Sequence, residues 1–402
     1  MTSRFPPAPI GADQITAMLG LNILRKMRGM LREASLWPAT FRFSKGPAVA
    51  FLPSKPRAQS SLLRVYAIAE ALKGLGWSTV VLPAGLDLAQ RQRLLARFAP
   101  DVIVMQGARH ALNRPDLHPG HRIAYDMDDA DFHLPQLAEA VRDAMAKVDV
   151  VLAGSRYVAD WCEAMGATAH VVWTGTPVSP GYRPRQSTRP PVVAWAQSEP
   201  VNYVLERAFV LDVMQRVARR RPGVRLRFFG RRATDNEDIL APFIAAGVTS
   251  EWLPMMPYAQ FLRSLDDVAV GLSPICPENA FSRGKSFGKV LAYLDRGVPV
   301  VASDAADHPL FFTPQTGILS NDPAVWSDAI DRLLGDAAAR QSFADAGLSA
   351  LKDRLSTEAA ARTVDAVLRD LTDRGKPTRD SVAARRPARS GRAQNLTRAR
   401  HF

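Results

Sequence analysis

Short apolar runs alternate with longer amphipathic segments from residue 46 to residue 373. Runs rich in valine, isoleucine and alanine are typical of buried parallel strands, whereas apolar positions three and four residues apart indicate helices. Strands are predicted at 48–52, 79–82, 102–106, 123–126, 150–153, 170–173, 192–195, 226–230, 251–254, 268–272, 298–302 and 317–319. Helices are predicted at 62–75, 87–98, 134–146, 156–165, 203–220, 237–246, 258–265, 287–296, 323–334, 337–354 and 357–373. This alternation predicts parallel sheets that are covered by helices on both faces.

A loop rich in proline, arginine and serine at 177–191 interrupts the alternation, which then restarts. The sequence therefore predicts an α/β fold of two Rossmann-like, doubly wound domains that face each other across a cleft. The predicted parts are a basic amphipathic N-terminal segment (1–45), a first domain (46–185), a second domain (186–355), a return helix (356–373) and a basic disordered tail (374–402). Because ligands bind at the carboxyl ends of the strands in such sheets, the cleft is the predicted binding site.

The positive charge of the chain is concentrated at its two ends. The formal net charge is +13. Residues 374–402 hold nine Lys/Arg and one Asp, and residues 1–45 hold seven Lys/Arg and two acidic residues, so the segment between them is neutral. Since a strongly basic surface is what attracts nucleic acid, a neutral body argues against a folded part that binds it. No specific nucleic acid is expected as a partner.

Each end of the chain is open to two interpretations. The pattern at 13–34 predicts a basic amphipathic helix, which either lies on an anionic membrane surface or packs on the flank of the protein itself. The polybasic tail either touches anionic lipid or RNA or has no specific role. The two cysteines are isolated, and neither a secretory signal nor an apolar run long enough to span a bilayer is predicted. We therefore expect a cytoplasmic protein, with or without peripheral contact to the membrane.

The segment GKSFGKVLAYLDRGVPVVAS at 284–303 carries the strongest candidate chemistry. Its Gly-Lys-Ser turn is predicted to open an amphipathic helix, and a helix N-terminus offers unpaired N–H groups and partial positive charge. Lys289 lies one turn after Lys285, so two cations and an open helix end predict a diphosphate site. The alternatives are an ordinary helix cap with solvated lysines and a Walker A loop, whose first glycine is replaced here by Asn279.

Four aspartates crowd the end of the predicted strand at 123–126, namely Asp126, Asp128, Asp129 and Asp131. A carboxylate at this edge of the sheet can act as a base or bind an acceptor hydroxyl, and Asp126 and Asp128 are the predicted catalytic residues. The alternatives are a site for Mg²⁺ or Ca²⁺, since clustered carboxylates bind hard cations, and a solvated loop in which an aspartate caps the next helix.

These residues resemble the GT-B glycosyltransferases and, within them, the group 1 (GT4-like) branch. The segment at 284–303 is similar to a run in many members, in which a basic residue precedes the helix and a Gly-x-Pro-Val-Val sequence, here at 297–301, enters the next strand. The strand RLRFFG at 225–230, the acidic segment RIAYDMDDADF at 122–132 and the closing helices at 337–373 are similar to other parts of the branch.

The resemblance covers about residues 46–373 and implies transfer of a hexose from a UDP- or GDP-sugar to a glycan, lipid or small-molecule acceptor, with retention of the anomeric configuration. The first domain would bind the acceptor and the second the donor. No metal or other cofactor is expected, because the helix dipole and basic side chains neutralise the departing diphosphate. The predicted donor-binding residues are Lys285, Ser286, Lys289, Arg283, Gly230, Arg231 and Asp304. The predicted acceptor-side residues are Arg57, Ser60, Asp129 and Asp131.

Two departures from the branch pattern motivate a second hypothesis. The branch usually carries a pair of glutamates separated by seven residues around this helix, and the chain has Gly284 and Ala292 at those positions. The first domain has the sequence PSKPRAQSS at 53–61 where the branch has a glycine-rich loop. The second hypothesis is therefore a catalytically inactive GT-B protein that binds nucleotide or glycan or serves as a partner subunit.

Overall fold

The computed structural model describes residues 29–42, 46–56, 58–235 and 237–373, and these residues form two parallel sheets of six strands each. The first sheet has the order β2-β1-β3-β4-β5-β6 and comprises β1 (Ala48–Leu52), β2 (Ser78–Val81), β3 (Val102–Gln106), β4 (Ile123–Met127), β5 (Val150–Ala153) and β6 (Ala169–Val171). The second sheet has the order β12-β11-β10-β7-β8-β9 and comprises β7 (Val192–Trp195), β8 (Arg225–Phe229), β9 (Thr249–Leu253), β10 (Val270–Ser273), β11 (Val300–Ala302) and β12 (Ile318–Leu319). The predicted fold class is confirmed.

Helices connect the strands in both domains. Those of the first domain are α1 (Ala67–Gly74), α2 (Leu88–Phe98), α3 (Pro135–Met145) and α4 (Arg156–Ala164). Those that follow are α5 (Val204–Arg220), α6 (Ala241–Ala245), α7 (Tyr258–Arg263), α8 (Ala280–Arg283), α9 (Gly288–Asp295), α10 (His308–Phe311), α11 (Pro323–Gly335), α12 (Ala337–Arg354) and α13 (Thr357–Asp373). A helical turn (Gln59–Ser61) and a π-helical turn (Leu62–Tyr66) lead into α1, and short 3₁₀ turns lie at Pro38–Thr40, Pro115–Leu117, Asp131–His133, Gln186–Thr188 and Pro200–Asn202.

The first sheet is buried on both faces, which a parallel sheet between two layers of helices requires. Every residue of β1, β3, β4 and β5 is buried. Successive side chains of β1 enter two separate apolar layers: Ala50 packs with Leu94 of α2, and Val49 packs with Ile68 of α1. Because neither face meets water, the strands are continuous apolar runs, and this is the pattern that made them predictable from the sequence.

Each predicted strand has a counterpart in the structure, and the predicted elements differ from the observed ones mainly at their ends. The short helices α8 and α10 were not predicted. The helix predicted at 287–296 spans Gly288–Asp295, and the Gly-Lys-Ser turn lies just before it. The strand predicted at 298–302 begins at Val300, because Pro299 has no N–H to donate to the ladder. The helix predicted at 237–246 is shortened to Ala241–Ala245, because a proline fits only the first turn of a helix and position 242 is a proline.

The last helix returns from the second domain to the first. Ala361, Val364 and Leu368 of α13 are buried, and they pack in the same apolar cluster as Val49 and Phe51 of β1. The amphipathic pattern at 357–373 therefore covers the sheet of the first domain, and the chain crosses between the domains twice. This second crossing ties the two domains together without a long interdomain loop.

The described part of the N-terminal segment packs on the first domain. Residues 29–36 are helical, Glu33 pairs with Arg93 of α2 at 2.7 Å, and Arg32 donates to the carbonyl of Gly85. The rest of the helix predicted at 13–34, the predicted acceptor-side residue Arg57 and the tail at 374–402 lie outside the described residues. No helix in the described part of the chain is both long and apolar enough to span a bilayer.

Candidate functional site

The turn at 284–286 of the second domain meets the acidic end of β4 in the first domain. Lys285 Nζ donates to Asp129 Oδ1 at 3.2 Å, and Ser286 Oγ donates to Asp128 Oδ1 at 3.1 Å. The hydroxyl of Ser155, just before α4, donates to the carbonyl of Gly284 at 3.3 Å. The two strongest sequence signals, the lysine turn and the aspartate cluster, are thus brought together across the interdomain cleft.

Lys285 lies in a partly apolar environment inside this cleft. Its side chain is only 19% exposed, and its ammonium group is 4.5 Å from the ring centroid of Phe281 and 5.5 Å from that of Tyr203. Burial alone would lower the pKa of Lys285, but the Asp129 carboxylate outweighs burial and raises it. Lys285 is therefore a fixed positive charge at the cleft surface.

Lys289, in the first turn of α9, differs from Lys285 in its surroundings. Burial and the neighbouring charge of Lys285 lower the pKa of Lys289 to about 8, and the carboxylates of Asp129 and Asp128 compensate only in part. Within the described residues, the ammonium group of Lys289 donates no hydrogen bond and forms no ion pair with a carboxylate. An anion in the cleft would supply the partner that the protein does not provide.

Arg109, which follows β3, is a site residue that the sequence analysis missed. It donates from Nη2 to Asp129 at 2.9 Å and from Nε to Asp131 at 2.8 Å. Burial would raise the pKa of Asp129, but Lys285, Arg109 and Lys289 outweigh it and hold that pKa well below its usual range. One carboxylate therefore faces three cations. The position of Arg109 three residues after the end of a predicted strand was the only sequence signal for its role.

Asp126 and Asp128 have different surroundings, although both were predicted to be catalytic. Asp126 has 4% of its side chain exposed and accepts from Arg64 Nε at 2.9 Å, and burial raises its pKa. Arg64 lies on the π-helical turn and also donates to Thr174 at 2.9 Å. Asp128 is more accessible and accepts from Ser286 and Thr174. The burial of Asp126 favours a positioning role for it, whereas Asp128 lies at the cleft surface.

Among the described residues, no hydrogen bond links the predicted donor residues Arg283, Gly230, Arg231 and Asp304 to Lys285. Arg283 is exposed and donates to the carbonyl of Pro277 at 2.6 Å. It lines an open cavity of about 310 Å³ together with Arg156 and Asp307. Asp304 is exposed as well, and its carbonyl accepts from Asn321.

Gly230 and Arg231 lie directly after β8. Gly230 has φ +89, and a Cβ atom there would come within 2.2 Å of the carbonyl oxygen of Ser198, so only glycine fits. Arg231 is exposed and donates to the carbonyl of Ala233. Ser60, on the acceptor side, lies half-buried in the helical turn before the π-helical turn.

A second set of contacts closes the cleft through Asp307 of the second domain. Its Oδ2 accepts from the N–H of Arg156, the first residue of α4, at 3.0 Å and from Trp173 Nε1 at 2.8 Å. A carboxylate at a helix N-terminus is favoured by the helix dipole. Asp307 thus caps a helix of the opposite domain, an arrangement that no local sequence pattern reveals.

The structure gives a physical reason for the absence of the usual glutamate pair. A Cβ atom on Gly284 would lie 2.6 Å from Cβ of Ala130 in the opposite domain. Ala292 is completely buried in the core between α9 and the second sheet. In this closed arrangement neither position has room for a carboxylate that faces the cleft.

Metal ligands are not assembled in the described residues. No group of three or more His, Cys, Asp or Glu side chains in that part of the chain is placed to hold a metal ion. The aspartates after β4 are paired with arginine and lysine instead, as described above.

Solved structures provide the comparison for this arrangement. The chain is similar to a sucrose-phosphate synthase from Thermosynechococcus elongatus, with a TM-score of 0.61 and 12% identity over 82% of this chain and 100% of that one. It is also similar to HepE from Anabaena in complex with UDP and glucose, with a TM-score of 0.59 and 15% identity over 81% of this chain and 100% of that one. The chain has the GT-B fold.

A third GT-B protein of similar extent is the lipopolysaccharide outer core galactosyltransferase WaaB, with a TM-score of 0.56 and 12% identity over 81% of this chain and 99% of that one. No family model matches the sequence, and no curated protein matches it. At such identities the likeness establishes the fold, and function has to be argued from the site.

Proposed function

We propose that this chain is a glycosyltransferase of the group 1 (GT4-like) branch that transfers a hexose from a UDP- or GDP-sugar to a glycan, lipid or small-molecule acceptor, with retention of configuration. The observation that carries the proposal is the pair Lys285 and Lys289 in the interdomain cleft at the start of α9. The structural similarity to HepE in complex with UDP and glucose supports it.

In the proposed reaction the donor diphosphate binds where positive charge is concentrated. Lys285, Lys289 and the first N–H groups of α9 would neutralise the charge that develops on the leaving diphosphate, so that no metal is needed. Asp128, beside Ser286, would face the reacting sugar or an acceptor hydroxyl, and Asp126 with Arg64 would hold the strand end in place. Arg283, Gly230, Arg231 and Asp304 are the further donor-side candidates. Arg57, Ser60, Asp129 and Asp131 are the acceptor-side candidates.

Nucleotide affinity tests the proposed lysine pair. We expect Lys285→Ala or Lys289→Ala to weaken UDP or GDP binding at least tenfold, because loss of a charge-assisted contact costs about 1.5–3 kcal/mol. Calorimetric titration of each variant measures the effect, and Lys352→Ala, which removes an exposed lysine of α12, is the matched control. If both lysine variants bind UDP and GDP as tightly as the wild type does, the proposal fails.

The competing function is binding of nucleotide or glycan by a GT-B protein without catalysis. Gly284 and Ala292, in place of the usual glutamates, favour it. Incubation with UDP- and GDP-sugars separates the two functions, because transfer or donor hydrolysis releases a nucleoside diphosphate and binding alone does not. Release that is lost in Lys285→Ala would support the transferase.

We also propose that the protein is cytoplasmic and makes a peripheral contact with the membrane. Met30, Leu31, Trp37 and Phe41 are exposed on the N-terminal segment, and we call them the N-terminal patch. The guanidinium of Arg97 lies over the rings of Trp37 and Phe41, at 5.2 and 4.6 Å from their centroids. Aromatic rings with adjacent cations are typical of surfaces that bind the headgroup region of anionic bilayers.

A further inference from the structure

The position beside Lys285 that an anion would take in the cleft is occupied by the protein's own carboxylate. Asp129 Oδ1 lies 3.2 Å from Lys285 Nζ, and each of these side chains is only 19% exposed. The carboxylate also accepts from Arg109, and Lys289 acts on it electrostatically. An anion that binds to Lys285 must therefore share this position with Asp129 or displace it.

We infer that Asp129 is a built-in competitor for the donor diphosphate, and that it determines how tightly the donor binds. In the structure the Asp129 carboxylate accepts from Lys285, and in this inference the diphosphate displaces it on binding. This inference rests on the proposed anion site, which it deepens by naming the group that the ligand must replace.

The charges around Asp129 favour its replacement by a diphosphate. Asp129 brings one negative charge to Lys285, Lys289 and Arg109, and Lys289 forms no ion pair with a carboxylate in the described part of the chain. A diphosphate brings more charge and more acceptor oxygens, so it can pair with both lysines at once.

The displaced carboxylate also keeps a partner. Arg109 belongs to the same domain as Asp129 and bonds to it at 2.9 Å, so the ion pair with Arg109 survives when the contact with Lys285 breaks. Loss of a single partner while another remains avoids the large cost of a buried, unpaired charge. The exchange therefore requires only a local movement of Asp129 relative to the turn at 284–286.

Displacement of Asp129 from Lys285 breaks a contact between the domains, because the two residues belong to different domains. The ion pair between them is one of the contacts that close the cleft. The others are the hydrogen bond from Ser286 to Asp128 and the hydrogen bond from the first N–H of α4 to Asp307. Binding of the diphosphate replaces a direct contact between the domains by a contact through the ligand.

Pyrophosphate titration by calorimetry on the full chain tests this inference without reference to any nucleotide base. We expect Asp129→Asn to bind pyrophosphate at least fivefold more tightly than the wild type. Asp129→Ser should show the same gain, and it serves as a second variant without an amide group. The matched control is Asp307→Asn, which removes another carboxylate contact between the domains; its affinity should stay within twofold of the wild type. In the Lys285→Ala background, Asp129→Asn should bring no gain.

Equal or weaker pyrophosphate binding by both folded Asp129 variants would overturn the inference. An equal gain in Asp307→Asn would overturn it too, since general opening of the cleft would then explain the effect. The proposed function fails separately, if no UDP- or GDP-sugar is bound or turned over. Tighter pyrophosphate binding by Asp129→Asn can still be observed in that case.

Discussion

At the residue scale, Lys289 shows how neighbours decide the chemistry of a side chain. Lys285 and Lys289 are four positions apart, yet Asp129 raises the pKa of Lys285, whereas burial and Lys285 lower that of Lys289 to about 8. The charged groups that act on Lys289 are Lys285, Asp129 and Asp128. Lys289 therefore titrates within an accessible pH range while Lys285 stays charged.

This difference predicts a pH dependence of nucleotide binding. If Lys289 binds the diphosphate as proposed, it does so in its protonated form, and that charge is lost as the pH rises through about 8, so affinity should fall on the alkaline side. The terminal phosphate of UDP or GDP, with a pKa of about 6, is already ionised there. We expect at least threefold weaker binding at pH 9.5 than at pH 7 and a flatter profile for Lys289→Met. A wild-type affinity that is constant over this range would contradict the assignment.

At the element scale, close packing of α9 on β10 fixes the position of the turn at 284–286, which precedes the helix. A Cβ atom on Gly271 of β10 would lie 2.6 Å from the ring of Tyr293. The Tyr293 hydroxyl donates to the carbonyl of Ala194 at 2.9 Å and accepts from the N–H of Ala196 at 2.7 Å. The ring thus ties α9 to the end of β7, and a glycine on β10 lets the helix approach closely.

Two glycine-to-alanine substitutions distinguish loss of this close packing from the general effect of adding a methyl group. Gly271→Ala should destabilise the protein by about 1–3 kcal/mol, because it overpacks a filled core. Gly288→Ala, at the first residue of α9, meets no atom within 4 Å and should leave stability unchanged or raise it by up to about 1 kcal/mol. Denaturant unfolding of both variants measures the difference, and similar stabilities would show that the close approach is not needed.

At the scale of the whole molecule, two distant parts of the chain meet on the first domain. Helix α13 comes from the C-terminal side and covers the sheet near Val49, while residues 29–36 come from the N-terminal side and pack on α2. The N-terminal patch is thereby held on the first domain, which is the predicted acceptor domain. A lipid acceptor and a membrane contact would then lie on the same domain.

Vesicle binding tests this arrangement. We expect the protein to sediment with vesicles that contain phosphatidylglycerol, and Trp37→Ala/Phe41→Ala to bind at least threefold more weakly, because the two rings are 49% and 54% exposed and would enter the headgroup region. Ile244→Ala, which removes an exposed apolar side chain of α6, is the control. Equal binding by wild type and double variant would show that the N-terminal patch does not contact the bilayer.

Much of the fold and part of the candidate site were predictable from the sequence. Strands such as β1 and β3 were placed at their observed bounds because burial on both faces leaves an uninterrupted apolar run. Lys285 and the aspartates were each predicted to lie at the cleft from the rule that ligands bind at the carboxyl ends of strands, but no contact between them was predicted. Arg109 and Asp307 were missed because their partners lie far away in the sequence or in the other domain.

The sequence by itself determined the succession of strands and helices along the chain, the two-domain α/β architecture and the two lysines at the start of one helix. These features depend on periodicity and on neighbours within a few residues, so they can be read locally. Only the tertiary structure decided that Asp129 accepts from Lys285 and that Asp126 accepts from Arg64. It also decided that Gly284 lies against Ala130. Such contacts arise when separate segments and two whole domains pack together, and the free energy of that packing is not encoded in any single segment.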